Sequence, residues 1–402
     1  MYLTHLSLTD FRIFSRLDQE IPKNSLILVG DNAQGKTSLL EAVYYLSALE
    51  SFQATNTQEL VNFYIQDQQL AVSRIVADYI RGTDSHHLEI RIILDKNQNG
   101  RTSLRKEILL DGVERKINQV IGHFNAVLFL PHMLQIITGS PRRRRHYLNL
   151  TISQIDPIYN HHLSDYKKAV TQRNALLKQL KENHGDPDQL AYWDELLTQS
   201  GSYLIHSRIQ TLKELEQIAA GIHQELTRGA EILRLRYAPA YEPLPSPANQ
   251  LELPLENQLD RSGLSLEDIQ KGFRETLISL RPEEIRRGVT TIGPHRDDLI
   301  FLSNSLDLGT YGSRGQVRTA LLSIKLAEIT YFKEKTGFWP VLLLDEVLAE
   351  LDDLRREDLL ERLSQTEQSL LTTTDLSLFT ANFQTQSTFW RIQNGQLQIQ
   401  DL

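Results

Sequence analysis

The chain of 402 residues contains no cysteine. A disulfide framework, a thiolate metal site and a cysteine nucleophile are therefore excluded, and the composition suits a reducing compartment. A continuous apolar run of about 18 residues, the length a membrane helix needs, is missing as well. The N-terminus, Met1-Tyr2-Leu3-Thr4-His5, lacks a charged stretch followed by an apolar one. A soluble, cytoplasmic protein with no membrane partner is expected. Excess positive charge is also absent: the formal net charge is -8. That excludes a uniformly basic coat for nucleic acid and confines any DNA contact to a local patch. The twelve histidines are scattered. Neither His86-His87 nor His161-His162 has matching ligand spacing, so both pairs read as surface residues.

What is present is a phosphate-binding loop. Gly30-Asp31-Asn32-Ala33-Gln34-Gly35-Lys36-Thr37-Ser38 satisfies the P-loop pattern at every constrained position. The apolar run Leu26-Ile27-Leu28-Val29 before it predicts a buried strand, and Leu39, Leu40, Val43 and Leu46 after it fall at helical spacing. In that context the two glycines let the backbone wrap phosphate oxygens, the loop amides and helix N-terminus donate to them, and Lys36 adds a charge. Thr37 is expected to place its hydroxyl on a magnesium ion.

Along the rest of the chain, alternation over residues 2–20 predicts a strand pair with a bend at Asp10-Phe11-Arg12. Residues 70–78, 87–94 and 106–113 alternate too, with turn signals at Asn97-Gln98-Asn99-Gly100 and Asp111-Gly112. Ala126-Val127-Leu128-Phe129-Leu130, closed by Pro131, has the form of a fully buried strand. Beyond Gly139-Ser140-Pro141 the periodicity becomes helical. Residues 156–182 and 188–228 predict a helical hairpin broken at Asn183-His184-Gly185-Asp186-Pro187. A strand at 231–237 follows, then a loop with Pro239, Pro243, Pro245, Pro247 and Pro254, then a helix over 266–287 capped by Ser265.

Val341-Leu342-Leu343-Leu344-Asp345-Glu346 has the form of a Walker B strand. Asp345 is placed to help hold magnesium, and Glu346 to orient or deprotonate an attacking water. Between the two motifs, Gly312-Ser313-Arg314-Gly315-Gln316-Val317-Arg318-Thr319 precedes an amphipathic helix. By itself this segment also reads as an ordinary helix start with amides free for an anion. Just before a Walker B strand, it resembles the signature motif of ABC-type ATPases, which completes the nucleotide site of a second subunit. Ala349-Glu350-Leu351-Asp352 resembles the D-loop of the same superfamily.

The stretch from Lys36 to Asp345 is far longer than a transporter-type domain needs, and the excess is the helical insertion. The expected fold is α/β: an ABC-type P-loop ATPase head built from both ends of the chain, residues 1–138 and 290–402, with an inserted, mainly helical lobe at 139–289. Such a plan resembles the SMC-like DNA-repair and chromosome proteins, with a shortened insertion. Local motifs narrow the resemblance to the RecF family of bacterial recombination mediators. They are Leu6-Ser7-Leu8-Thr9-Asp10-Phe11-Arg12, the P-loop continued through Leu40-Glu41-Ala42, Gly139-Ser140-Pro141 with the arginines after it, Thr291-Ile292-Gly293-Pro294-His295-Arg296-Asp297-Asp298, and residues 313–319.

This resemblance implies that residues 30–38 bind ATP, that Thr37 and Asp345 serve magnesium, and that Glu346 is the hydrolytic carboxylate. It further implies that Ser313, Arg314, Gly315 and Gln316 of one subunit face the γ-phosphate held by another, so that ATP closes a homodimer. Arg12 resembles an arginine that lies near the nucleotide in related heads; the alternative is a surface charge beside a bend. Implied partners are double-stranded DNA near single-strand gaps, RecR and RecO, and through them RecA, with slow DNA-stimulated hydrolysis as the switch. Four departures from the family pattern stand out: Gln53 for an arginine, Asn149 for an aspartate, Pro131-His132-Met133 for a more acidic motif, and Thr372-Thr373-Thr374-Asp375 where transporters have a switch histidine.

Arg142-Arg143-Arg144-Arg145 is the densest basic cluster. With Lys167, Lys168, Arg173, Lys178 and Lys181 it is a candidate stripe for DNA phosphates, or else a solvated start to the helical lobe. No helix-turn-helix or zinc-finger pattern favours base reading. Competing functions are a transport-associated ABC ATPase, disfavoured by the inserted lobe, an ABC-headed nuclease, for which no domain follows the ATPase, and a nucleotide-binding scaffold without turnover.

Overall fold

The computed structural model describes residues 1–96, 102–244 and 260–400. The expected turn at Asn97-Gln98-Asn99-Gly100 and the prolines Pro245, Pro247 and Pro254 lie outside the described residues. In chain order the strands are β1 (Tyr2–Phe11), β2 (Phe14–Glu20), β3 (Ser25–Val29), β4 (Leu70–Arg81), β5 (Asp84–Lys96), β6 (Thr102–Leu110), β7 (Val113–Glu114), β8 (Ala126–Phe129), β9 (Leu233–Ala238), β10 (Asp298–Ser303), β11 (Leu306–Asp307), β12 (Val341–Asp345), β13 (Ser369–Thr373), β14 (Ser387–Gln393) and β15 (Gln396–Gln400).

Two compact units result: Met1–Met133 with Glu328–Leu402, and Leu134–Ala327. Both ends of the chain thus build the first unit. Residues 290–327, grouped from sequence with the C-terminal part of the head, instead fall with the inserted unit. The reason is strand pairing: β10 lies antiparallel to β9, matching Asp298 with Ala238 and Ser303 with Leu233.

The first unit holds two sheets. One is antiparallel, in the order β2-β1-β4-β5-β6-β7. In β1, Leu3, Leu6, Leu8 and Phe11 are all fully buried although Leu3 and Leu6 are three apart. A register shift between Leu3 and His5 absorbs the extra residue and returns the later side chains to the core face. At Asp111-Gly112 both residues have positive φ, 53° and 77°, as the tight turn predicted there requires. The second sheet runs β15-β14-β3-β13-β12-β8, with β14, β3, β13, β12 and β8 parallel and β15 antiparallel. Its inner strands are apolar without alternation because both faces are covered: Leu26, Ile27, Leu28, Leu342 and Leu343 have no exposed surface. The P-loop helix Lys36–Ala48 packs on β8 and β12.

The second unit is mainly helical. Asp156 caps the helix Pro157–Lys181 by accepting from Ile158 N and Tyr159 N at 2.9 and 3.1 Å. The breaker turns the chain with positive φ at Asn183 and Gly185, and the helix Leu190–Leu226 returns against it through Leu176, Leu177, Leu180 and Leu190. A third helix, Leu266–Arg287, starts at Ser265, whose hydroxyl accepts from Asp268 N at 3.1 Å. Among the described residues no helix is long and apolar enough to cross a membrane.

Candidate nucleotide-binding site

The P-loop leaves β3 at a position that only glycine can occupy. A Cβ on Gly30 would lie 2.5 Å from the carbonyl oxygen of Ile392 in β14. At the other end, where the loop enters the helix, Gly35 has φ 114°, a conformation that favours glycine. Asp31, Asn32 and Ala33 between them are exposed, and Ser38 is half-buried at the helix start. Gln34 is tethered twice to the β14–β15 turn. Its carbonyl accepts from Gly395 N at 3.0 Å, and its Oε1 accepts from Asn394 N at 2.7 Å.

Lys36 is buried, and Nζ donates to the carbonyls of Gly30 (2.6 Å) and Asp31 (3.1 Å). The same ammonium lies 3.3 Å from Glu346 Oε1. Thr37 Oγ1 donates to the Asp345 carboxylate, at 2.9 and 3.1 Å from its two oxygens. These contacts join residues from opposite ends of the chain because β13 lies between β3 and β12 in parallel register, pairing Thr372 with both Leu28 and Asp345. The carboxyl ends of three strands thereby form one rim, the usual place for a ligand in an open α/β sheet. Thr372 links the two acids: its hydroxyl donates to Asp345 Oδ1 at 2.7 Å and accepts from Glu346 N at 3.0 Å. Glu346 itself adopts the left-handed region, φ 52°, a strained conformation for a non-glycine residue.

Burial pushes the Asp345 carboxyl upward and the neighbouring Glu346 adds to the shift, while hydrogen bonds from Thr372 and Thr37 and the Lys36 charge oppose it. A half-buried carboxylate with a hydroxyl beside it is a hard oxygen donor set, which fits magnesium held by one or two protein ligands and completed by phosphate and water. Among the described residues no cluster of three or more His, Cys, Asp or Glu offers a cage independent of nucleotide.

Residues 2–396 match the family model described as the RecF/RecN/SMC N terminal domain. The DNA replication and repair protein RecF of Roseiflexus castenholzii is 37% identical over 410 residues, covering 99% of this chain and 99% of its own. The chain belongs to the RecF family. RecF of Bacillus subtilis, also a DNA replication and repair protein by name, is 35% identical over 398 residues, 99% of this chain and 100% of its own. A solved structure described as the recombination mediator protein RecF-ATP in the RecFOR pathway superposes with TM-score 0.81 at 30% identity, covering 100% of this chain and 98% of that one. The fold is accordingly the ABC-type ATPase head of RecF and SMC proteins with a helical insert.

The other residues singled out in this RecF-family sequence fall in several places. Arg12, at φ 52° on the β1–β2 bend, is bound on both sides. Its guanidinium donates to the fully buried Glu41 of the P-loop helix at 2.7 and 2.8 Å and to Glu59 O at 3.1 Å. Ser51 donates to the same Glu41 carboxylate. Asp352, in the D-loop segment, is exposed and caps the helix Asp353–Ser364 by accepting from Arg355 N at 3.1 Å. Ser313, Arg314 and Gly315 are exposed at the start of the helix Arg314–Thr336. They belong to the second unit.

The four arginines of the basic cluster divide into two pairs. Arg142 and Arg143 are exposed. Arg144 instead makes a bidentate pair with Asp298, 2.6 and 2.8 Å, and Arg145 donates to Asp297 O at 2.6 Å. Helical spacing turns the second pair toward β10, so half of the arginine cluster is committed to internal contacts, and Arg173 of the expected stripe is fully buried, donating to Asp194 Oδ1 at 2.7 Å. Asn149 is likewise internal: its Oδ1 accepts from Tyr159 Oη at 2.7 Å and Arg208 Nη2 at 2.9 Å. Sequence reasoning missed the β14–β15 tether on Gln34, although Asn394-Gly395 is a strong hairpin signal. It also missed Thr372 as the bridge between the two acids, which no local pattern announces.

Proposed function

We propose that this chain is an ATP-dependent DNA-binding recombination mediator whose ATP-bound form is a homodimer closed on double-stranded DNA near single-strand gaps. The observation that carries this reading is the meeting of Lys36 and Thr37 with Asp345 and Glu346 at one strand rim. In this reading the loop amides of residues 30–38 and Lys36 hold the ATP phosphates. Lys36 exchanges its contact with Glu346 for the γ-phosphate, and Glu346, released, orients the attacking water and accepts its proton. Thr37 and Asp345 hold magnesium, which neutralises charge on the phosphates when bound. Arg12 stays with Glu41 as a brace of the P-loop helix or turns to the nucleotide when ATP arrives.

Ser313, Arg314, Gly315 and Gln316 of one molecule complete the site of another, with Asp352 at the same junction, so that binding closes the dimer and slow hydrolysis, stimulated by DNA, opens it. The names of the relatives support a role on DNA, and the RecFOR context of the solved structure supports RecO and RecR as partners; double-stranded DNA near gaps and RecA loading are what the family resemblance implies. The exposed Arg142 and Arg143 are the candidate phosphate contacts.

Light scattering of the purified protein, with and without ATP and gapped DNA at stated salt, tests the reading. Wild type is expected to dimerise only with ATP and then to bind DNA, whereas Lys36→Ala and Ser313→Arg stay monomeric. A wild-type protein that remains monomeric with ATP and binds no DNA at modest salt would sink it.

A further inference from the structure

Glu231 lies between the helix Leu190–Leu226 and β9, and its carboxylate is a junction inside the second unit. Oε1 accepts from Gln316 Nε2 at 3.3 Å. Oε2 accepts from Ser303 Oγ at 2.7 Å and faces His223 Nε2 at 3.4 Å. Gln316 in turn caps the signature helix: its Oε1 accepts from Ser313 N at 3.0 Å, and Ser313 Oγ accepts from Gln316 N at 3.2 Å. This reciprocal pair is a capping box, which satisfies two backbone donors that the helix leaves open. His223 secures the same helix two turns further on. The Ser323 hydroxyl spends its proton on Thr319 O (2.8 Å), so His223 Nδ1 is the donor in its 3.0 Å contact with Ser323 Oγ.

An amide side chain has two faces of opposite character. Gln316 can cap Ser313 N only when its oxygen points there and its NH2 points away. A carboxylate accepts and never donates, so Glu231 can be satisfied only by the NH2 face. The pairing therefore selects one of the two amide orientations. It does so beside residues 313–315, which are exposed. A negative charge near this helix N-terminus is also favourable to the helix dipole.

We propose that Glu231 is a positioning residue for the signature segment: it fixes the Gln316 amide so that Ser313 is held ready for the γ-phosphate of a second molecule. This rests on the reading of residues 313–316 as half of a site completed in trans. The effect of Glu231 passes through Gln316.

Complementation between variants tests it. Glu231→Ala should bind ATP as wild type does, because its P-loop is intact, while hydrolysis at saturating ATP falls about tenfold through loss of alignment. Glu231→Gln, which retains an acceptor but can also turn its NH2 toward Gln316, should fall between the two. Mixed with an equal amount of Lys36→Ala, which cannot dimerise alone but supplies an intact signature segment, Glu231→Ala should regain activity above that of either variant by itself, up to about a quarter of the wild-type rate, since a mixed dimer closed by the one ATP on Glu231→Ala carries one sound site. Ser313→Arg mixed with Lys36→Ala is the reference. If the reference pair complements and the Glu231→Ala pair does not, Glu231 is merely structural and the proposal is wrong. Full hydrolysis by Glu231→Ala alone also overturns it. If the reference pair itself fails to complement, the trans reading falls and the proposal with it.

Discussion

Replacing Glu346 by glutamine separates binding from turnover at the strand rim. The substitution keeps the size of the side chain and leaves the backbone bond from residue 346 N to Thr372 untouched, so the left-handed conformation at φ 52° survives. What changes is charge. Lys36 Nζ lies 3.3 Å from Glu346 Oε1, and the Glu346 side chain is 39% exposed, so solvent screens most of the Coulomb attraction. A pair of this kind contributes about 0.5–1 kcal/mol. Lys36 must give up that contact to bind phosphate, and the carboxylate also repels the incoming anion. Glu346→Gln should therefore tighten ATP binding by roughly two- to fivefold. Loss of the base should slow hydrolysis by about 100-fold or more. Equilibrium binding of a fluorescent ATP analogue reads the first effect, single-turnover hydrolysis the second, and light scattering a dimer that forms with ATP and persists. Unchanged turnover would remove Glu346 from the mechanism, and weaker ATP binding would refute the competition between Glu346 and phosphate for Lys36.

Asp345→Asn keeps acceptors for Thr37 and Thr372 but removes a buried charge. Because burial raises the Asp345 carboxyl, its ionised form costs stability at pH values above the shifted value, so the variant should melt higher than wild type without nucleotide and lose magnesium-dependent hydrolysis; a lower melting temperature would contradict this. His295 is held down to about 4 by burial, against 6.5 in the unfolded chain. The unfolded state then takes up more protons between those values, so stability should be intact above about pH 6.5 and decline by up to roughly 3 kcal/mol toward pH 4. Urea titrations of His295→Gln should show a flatter decline, and an equal slope would discount His295. Arg142→Ala with Arg143→Ala should lower the slope of log affinity for DNA against log salt by about 2 without altering stability. Arg144→Ala, which breaks the bidentate pair with Asp298, should instead destabilise by about 2 kcal/mol and serves as the control in the same denaturation series.

The loop at residues 30–38 and the strand ending at Asp345 were legible because each rests on a short, local pattern. A loop that wraps phosphate needs glycine at fixed places, and Gly30 proves to have no room for a side chain. A strand covered on both faces must be apolar throughout, which made β3, β8 and β12 visible as uninterrupted runs. The helical hairpin was visible through its breaker, and the helix that follows it through its cap, Ser265. Less accessible was anything decided by pairing between distant segments. Nothing local in Leu299 or Phe301 says that β10 will lie against β9 and carry residues 290–327 into the second unit. The arginine cluster misled for a related reason. Charge density suggested one surface, but successive residues on a helix face different directions, and two of the four side chains turn inward.

The stretch Gly293-Pro294-His295-Arg296-Asp297-Asp298 shows the same division between what a motif identifies and what it does. It distinguishes this chain from generic ABC heads, yet the contacts of its acids lie within the protein. Asp297 is 1% exposed and accepts from Arg208 Nη1 at 2.8 Å, from Ala240 N at 2.9 Å and from the Tyr237 hydroxyl. Arg208, in the middle of the helix Leu190–Leu226, also donates to Pro294 O at 2.7 Å and to Asn149 Oδ1 at 2.9 Å. A guanidinium buried this deeply is tolerable only when its donors are used, and removing one member of such a pair costs about 3–5 kcal/mol. One acid therefore ties the long helix, β9 and the segment leading into β10 together, while its neighbour Asp298 engages Arg144. The signature segment at 313–316 follows β10, which ends at Ser303, after β11 and one short turn of helix, and Glu231 stands just before β9, the strand paired with β10. The motif thus acts through architecture: by fixing β10 beside β9 it sets the frame in which Glu231 and Gln316 meet.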